Sequence, residues 1–368
     1  MAKNSYAWEN SSYSSDSTVS TELYDVCVRI SKVSHYCAFT SGMILSLTLA
    51  CLIMQRTDTI FKTYKTMLIF NCFTDRQFLV VGFLCQFTFR LNEGVALASI
   101  EGPASALSYT GQSVITGIFA ASLGVVITSL PANYCYRYQY LKHSTPPKIH
   151  RLLLLYVISY LVVIPVGFFT AYYFNQSGLA RPHFNYGSLW YNTQPLPTLL
   201  VMDFSIIGPR LHIAYCFVCF GGACVLALGF ALKTLTYYTE HEKLLNTRSL
   251  RLHSQLSKAL LIQSSLPMIA SMGPSVIIIA AILFGLDCGV LTILMFNIYA
   301  FVPILNPLCT IFVIKPFRKE VLKRFTNRIP QEPSFLQSKT RVSDKIPTIS
   351  SKHVYGRASS SILSRKST

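Results

Sequence analysis

The sequence predicts an all-α membrane protein: a seven-transmembrane helix bundle, N-terminus outside, C-terminus cytoplasmic, closed by a short amphipathic eighth helix. Three observations carry that prediction. Seven apolar stretches cover 35–54, 67–89, 109–134, 152–174, 204–232, 259–284 and 289–314. Each is near or above the ~20 residues that a helix needs to cross ~30 Å of hydrocarbon. The basic residues sort to alternate links between these stretches. Half the chain is hydrophobic and only 13% is charged, with a mean hydropathy of +0.42. In lipid a spanning segment must pair every backbone polar group internally, which for stretches of this length means helices. A soluble enzyme is excluded.

The charge pattern sets the orientation. A net charge of +17 over 368 residues would suggest nucleic acid in a soluble protein. Here Arg56, Lys62 and Lys65 come after span one, and Arg137, Lys142, Lys148 and Arg151 after span three. Lys233, Lys243, Arg248, Arg251 and Lys258 come after span five, and the segment from Lys315 onward is the most basic of all. The opposite side holds only Lys3, Arg29, Lys32, Arg90, Arg181 and Arg210. Basic residues collect on the cytoplasmic side, so the odd-numbered links and the tail lie inside and no nucleic-acid partner is implied. Both N-x-S/T sequons, at Asn10 and Asn175, fall on the expected outer face as candidate glycosylation sites.

Along the chain, residues 1–33 form a polar, Ser-rich outer segment with no apolar core of a signal peptide, so span one serves as an uncleaved anchor. The bundle occupies 34–316. Span two carries Asp75-Arg76 at a depth where a charge costs at least ~2.5 kcal/mol on insertion scales, which makes both functional candidates. Neighbouring positions point about 100° apart, so the two do not pair with each other along the helix face. Nothing in the sequence accounts for Arg76. The inner end of span three reads Asn133-Tyr134-Cys135-Tyr136-Arg137-Tyr138. Arg137, with five donors and a permanent charge, suits either a partner's groove or a snorkelling position at the membrane edge. Pro165 breaks span four, Pro267 and Pro274 break span six, and Pro307 removes a donor in span seven. Asn306 stands beside that weak point, and the kinks are either hinges or tolerated breaks. After Pro316, residues 317–327 place Phe317, Val321, Leu322 and Phe325 on one face and bases on the other, an interfacial helix on the inner leaflet. Residues 328–368 are Ser/Thr-rich, basic and poor in large apolar groups, and are expected to be disordered.

Eleven cysteines are present without a disulfide framework. Most lie within spans, where a thiol behaves as a small apolar group. Cys27, Cys85 and Cys288 lie near the outer face, where a pair among them is allowed but not indicated. No metal or other cofactor is implied. Catalytic sets are lacking too: the sequence has no HExxH, no paired intramembrane Asp and no Ser–His pair at depth, so an enzyme is not expected.

Several of these residues carry a family resemblance. They are Tyr64-Lys65-Thr66-Met67-Leu68-Ile69-Phe70-Asn71 entering span two, Asp75 within it, Glu101-Gly102-Pro103, and Tyr136-Arg137-Tyr138. Leu260-Leu261-Ile262-Gln263 through Pro267 and the closing Ile314-Lys315-Pro316-Phe317-Arg318 complete the set. In this order they resemble the nematode serpentine chemoreceptors of the Str superfamily, closest to the Srd branch, over about residues 35–325. The resemblance implies a G-protein-coupled chemosensory receptor of the plasma membrane, in sensory cilia. Tyr136, Arg137 and Tyr138 would face a heterotrimeric G protein, and Asp75, Asn306, Pro307 and Pro267 would form the structural switch. It also implies a small-molecule cue in the outer half of the bundle, for which Gln112, Thr116, His212, Tyr215, Asn297 and Tyr299 are the expected contacts. Aromatic walls with few polar groups suit a mostly apolar molecule. Ser359-Ser360-Ser361 in the tail would accept phosphate and recruit a desensitising partner.

The sequence departs from the broader receptor pattern at three places. Tyr136 stands where an acidic residue usually precedes the span-three Arg, and Thr310 stands where the span-seven motif usually has tyrosine. The usual disulfide between span three and the 175–203 link has no cysteines to form it. Two alternatives compete with the receptor reading: a seven-span ligand-gated cation channel of the insect odorant-receptor kind, and a small-molecule transporter. The channel requires the opposite orientation. The transporter lacks repeated broken helices with facing charges.

Overall fold

A computed structural model describes residues 21–55, 59–143, 148–181, 183–191, 196–241, 265, 268–282, 284–313 and 315–326. The chain divides into two units, Met1–Leu322 and Lys323–Thr368, and only the first turn of the second is described, as the end of a helix. The helices are α1 (Thr21–Gln55), α2 (Thr59–Cys85), α3 (Tyr109–His143), α4 (Ile149–Gln176), α5 (Ile207–His241), α6 (Met268–Ile282), α7 (Leu291–Val313) and α8 (Lys315–Thr326). All but α6 and α8 are long and apolar enough to cross a membrane, and α6 is the described part of the sixth span. The bundle of seven spans with a short eighth helix is the fold the sequence predicts. Asn10, Pro267, most of the basic 233–258 link and the 328–368 tail lie outside the described residues.

The helix ends differ from the apolar stretches in instructive ways. α1 begins at Thr21 rather than near residue 35, so part of the expected outer segment is helical. Tyr24, Cys27, Ser31, His35 and Ala38 recur every three or four residues and are all buried, a stripe that extends the helix past its lipid-length core. α2 stops at Cys85, four residues before the apolar stretch does, and Gln86 takes a left-handed φ of 42° that turns the chain out of the helix.

Beyond α2 the chain forms a sheet that the sequence reading did not include. Strands β1 (Phe87–Asn92) and β2 (Val95–Ile100) form a hairpin, and β3 (Leu200–Asp203) adds to β2 in antiparallel register, Val95 opposite Asp203 and Ala98 opposite Leu200. Glu93 and Gly94 connect the hairpin with φ of 49° and 72°, the paired positive values of the tight turn whose twist matches the strands. β3 belongs to the link between α4 and α5, so backbone pairing ties that link to the hairpin where a disulfide is missing; all eleven cysteines are free. Both faces of the sheet are buried. One face packs on the bundle through Phe87, Phe89, Leu91, Ala96, Ala98, Leu200 and Met202. The other, Val95, Leu97 and Val201, packs under Tyr24, Tyr186, Leu189, Trp190 and Tyr191.

α3 is the most buried helix of the bundle. Its approach to α4 is set by glycine: a Cβ on Gly117 would lie 2.4 Å from the Gly167 carbonyl and 2.8 Å from Ala171 Cβ. Close backbone approach through small residues is the usual way for helices to associate where lipid removes the hydrophobic drive.

Candidate functional site

Under the sheet lies a cavity of about 180 Å³. Its roof is Phe87, Phe89, Ala96, Ala98, Met202 and Phe204, and its walls come from α3, α4, α5, α6 and α7. Alternation along the strands explains the roof: every second residue faces down, and those positions are apolar. The polar atoms on the walls are few and mostly already paired. Thr170 Oγ1 lies 2.9 Å from His212 Nε2, joining α4 to α5. The Ser275 and Tyr299 hydroxyls are 2.7 Å apart, joining α6 to α7. Thr116 bonds back to the Gln112 carbonyl at 2.7 Å, and Cys216 Sγ is 3.7 Å from His212 Nε2. An apolar chamber with such a pattern holds a mostly apolar molecule and orients it by one or two weak polar contacts.

Of the six residues expected at a ligand, Thr116, His212 and Tyr299 line this cavity. The other three are elsewhere. Gln112 donates to the Ser105 and Leu107 carbonyls at 3.0 Å each, closing the entrance to α3. Tyr215 is 36% exposed on the bundle's outside and donates to the Val162 carbonyl of α4, which runs unbroken through Pro165. Asn297 faces α1, where Ser31 donates to its Oδ1 at 2.9 Å. Helical spacing alone left each of these with a structural alternative, and the neighbouring helices decided. Thr170, Cys216, Ser275 and Phe296 are cavity residues that the sequence reading did not single out.

Ionic clasps seal the roof. Arg90, 3% exposed on the upper face of β1, donates to the Trp190 carbonyl at 2.7 Å, pairs with Asp287 at 3.0 Å, and lies 4.8 Å from the centre of the Tyr191 ring. Asp203 at the end of β3 takes Arg181 at 2.6 Å and the Tyr186 hydroxyl at 2.8 Å, and accepts from the Ser205 amide. Burial pushes the Asp203 carboxyl upward, but the bonds from Ser205, Tyr186 and Arg181 outweigh it and leave the group below its ordinary value. Lys32 pairs with Glu101 at 3.0 Å. The readable signal for this assembly is the run Phe87–Asn92, Glu93-Gly94, Val95–Ile100: two six-residue strands around a two-residue turn.

A second polar chamber lies toward the inner end, lined by Asn71, Thr74, Asp75, Ser129, Asn133, Arg137 and Asn306. At about 20 Å³ it has room for a water-sized group. Asn306 donates to Asp75 at 2.8 Å, and Thr310 donates to the Asn306 carbonyl at 2.6 Å, within the turn that holds Pro307. Asn133 donates to Asn71 at 2.9 Å, and the Tyr156 hydroxyl sits 2.7 Å from Asn71 Oδ1 and 2.8 Å from Asn133 Oδ1. Arg137 is 2% exposed, so in this conformation it is drawn into the chamber rather than presented to the cytoplasm. Tyr136 packs among Leu49, Leu52, Met67, Tyr156, Ile311 and Phe317, and Tyr138 meets Phe230 of α5 at 6.3 Å. Asn175 is in the last turn of α4, half-buried. Among the described residues Arg76 Nε is buried without a hydrogen-bond partner, and nothing in the structure explains it. No group of three or more potential metal ligands occurs among the described residues.

This architecture is that of the seven-helix receptors. The crystal structure of squid rhodopsin superposes with a TM-score of 0.58 at 14% sequence identity, covering 85% of this chain and 83% of that one, a likeness of fold. The sequence itself matches the family model described as serpentine type 7TM GPCR chemoreceptor Srd over residues 31–323. The chain belongs to that family, and so is a multi-pass G-protein-coupled chemosensory receptor. No curated protein is similar enough in sequence to match it.

Proposed function

We propose that this receptor takes a small, mostly apolar external cue into the cavity beneath the sheet and signals its presence through the inner chamber to a heterotrimeric G protein, at the plasma membrane of sensory cilia. The observation that carries this reading is the 180 Å³ cavity whose walls join α4 to α5 through Thr170 and His212, and α6 to α7 through Ser275 and Tyr299. A cue that wedges between Ser275 and Tyr299 changes how α6 and α7 pack, and α7 continues to Asn306, Pro307 and the Asp75 contact. Arg137, Tyr136 and Tyr138 are the residues through which that change reaches the G protein, with Arg137 released from the chamber in the active state. A desensitising protein then docks on the phosphorylated tail.

The test is a cue screen in cells expressing the full chain with a G-protein readout, run beside Phe220→Trp and His212→Leu. Phe220→Trp adds bulk at the wall and is expected to abolish responses while leaving surface expression intact. His212→Leu is expected to shift cue preference toward molecules without a polar group. Responses that survive both changes at unaltered cue concentration would refute the cavity as the binding site.

A further inference from the structure

Behind the cavity's α7 wall is a second, smaller space of about 20 Å³, bounded by His35, Ala38 and Phe39 of α1, by Phe78, Leu79, Gly82 and Phe83 of α2, and by Ala300 and Pro303 of α7. It shares Phe87, Phe119, Phe296 and Tyr299 with the main cavity, so these four rings are a partition between two compartments. Phe296 is its centre, with ring centroids at 5.0 Å to Phe89, 5.7 Å to Tyr299, 6.2 Å to Phe87 and 6.4 Å to Phe119. Edge and offset contacts of this kind hold rings together beyond area burial, a barrier that a bound molecule can offset.

The smaller space carries unspent hydrogen-bonding capacity. Nδ1 of His35 lies 2.9 Å from the Ser31 carbonyl. A carbonyl only accepts, so Nδ1 bears the proton and Nε2 of the neutral ring is an acceptor. Among the described residues Nε2 has no partner, although His35 is 7% exposed and lines the space. Beyond that lining a second polar group is left over. Ser31 Oγ donates to Asn297 Oδ1, and Asn297 Nδ2, also on a residue 7% exposed, is buried without a partner among the described residues. Asn297 lies outside the lining of the small space, so the acceptor on His35 is the group open to an occupant there.

A hydroxyl answers the His35 acceptor, since it donates one hydrogen bond. The geometry points to a second subsite of the receptor: the small space takes the hydroxyl of an aliphatic alcohol, with the chain lying in the main cavity and Phe296 turned aside between them. This rests on the cavity reading above, and it narrows the cue from mostly apolar molecules to monohydric amphiphiles. His35 becomes the hydroxyl's acceptor and Phe296 the residue that sets admissible chain length.

The probe is 1-octanol carrying a diazirine at C3, next to the hydroxyl end, photolysed on the full-length receptor in nanodiscs, with adducts mapped by mass spectrometry. Saturable adducts are expected on the peptides spanning 35–39 and 296–303. 1-Octanol should displace the probe about tenfold better than octyl methyl ether, which accepts but cannot donate. His35→Leu is expected to weaken labelling about tenfold, and His35→Gln, which keeps an acceptor, to stay within about threefold of wild type. Phe296→Ala is expected to admit longer alcohols. Melting curves of each variant separate misfolding from lost contact. Adducts confined to α5 and α6, or equal displacement by alcohol and ether, would overturn the subsite, leaving a water at His35 and the main cavity intact. Absence of saturable labelling anywhere in the bundle would overturn the cavity reading and the subsite with it.

Discussion

Asp203→Asn is the sharpest probe of the roof. The carboxylate is 0% exposed, takes Arg181 at 2.6 Å and Tyr186 at 2.8 Å, and terminates the strand that ties the α4–α5 link to the hairpin. Removing one partner of a fully buried pair costs about 3–5 kcal/mol, whereas an exposed pair is worth about 0–1. Arg181 is one-third exposed, so water retains part of its solvation and the expected cost falls between, at about 2–3 kcal/mol. If the roof opens locally, that loss appears as about 30- to 150-fold faster amide exchange in peptides covering 95–98 and 200–203, at unchanged exchange in α3. Adding Arg181→Gln to Asp203→Asn should cost little more, because the pair is already broken. The pH dependence has a definite sign. A carboxyl whose folded value is depressed contributes stability above its unfolded value of about 3.9, and loses it only as pH falls through the lower folded value. Roof protection, taken relative to the intrinsic exchange rate at each pH, therefore stays flat between pH 5 and 8 as far as Asp203 is concerned, and falls only below about pH 4. Exchange within threefold of wild type in the Asn variant, or a wild-type roof that loosens between pH 5 and 7 by way of Asp203, would refute this account.

Other parts of the bundle give four further expected outcomes. Gly117→Ala places a carbon 2.4 Å from the Gly167 carbonyl, so α3 and α4 must separate, lowering stability by about 1–3 kcal/mol. Gly221→Ala meets nothing within 4 Å and should be neutral or raise stability by up to about 1 kcal/mol; melting in nanodiscs tells the two apart. Asn306→Ala leaves a buried Asp75 oxygen without its donor, at about 1–3 kcal/mol, and is expected to change cue-independent signalling, measured by nucleotide exchange on a reconstituted G protein. Arg90→Gln breaks the clasp to Asp287 while keeping a donor for the Trp190 carbonyl, and is expected to loosen the α6–α7 link in exchange measurements without unfolding β1.

How much of this could be read from the chain depends on the length scale of the signal. Spans are legible because the bilayer fixes their length and forbids unpaired backbone, so an apolar run of the right size has one interpretation. The α8 helix was legible from its own pattern, Phe317, Val321, Leu322 and Phe325 spaced among bases in the sequence, and the observed helix is Lys315–Thr326. The sheet was not read, because Phe87 and Phe89 continue the apolar run of α2 and mask the point where the period changes from 3.6 to 2. The Glu93-Gly94 turn marks that change once it is recognised. Site residues were legible only as far as depth. Thr116, His212 and Tyr299 and the displaced Gln112, Tyr215 and Asn297 have similar positions along their helices, and rotation about the helix axis separates the two sets. That rotation is set by packing such as the Gly117–Gly167 contact, which is a property of two helices together.

The departures from the broader receptor pattern read differently once the inner chamber is described. Tyr136 does not offer Arg137 a carboxylate; its ring is spent instead on the cluster that joins α1, α2, α4, α7 and α8. Arg137 is nevertheless buried, in a chamber it shares with Asp75 and Asn306. A buried guanidinium stays charged, so its position is stable only while polar groups surround it, and the chamber wall is built from α2, α3 and α7 together. The restraint on Arg137 is therefore distributed over three helices rather than held by one neighbour in sequence. Thr310 serves that arrangement with a short reach: its hydroxyl binds the Asn306 carbonyl one turn back, which fixes the segment that presents Asn306 to Asp75. A long tyrosine there would reach past this turn, whereas threonine stiffens it. Pro303 and Pro307 lie between Tyr299 and Thr310 within α7, so a single continuous helix runs from the cavity to the chamber.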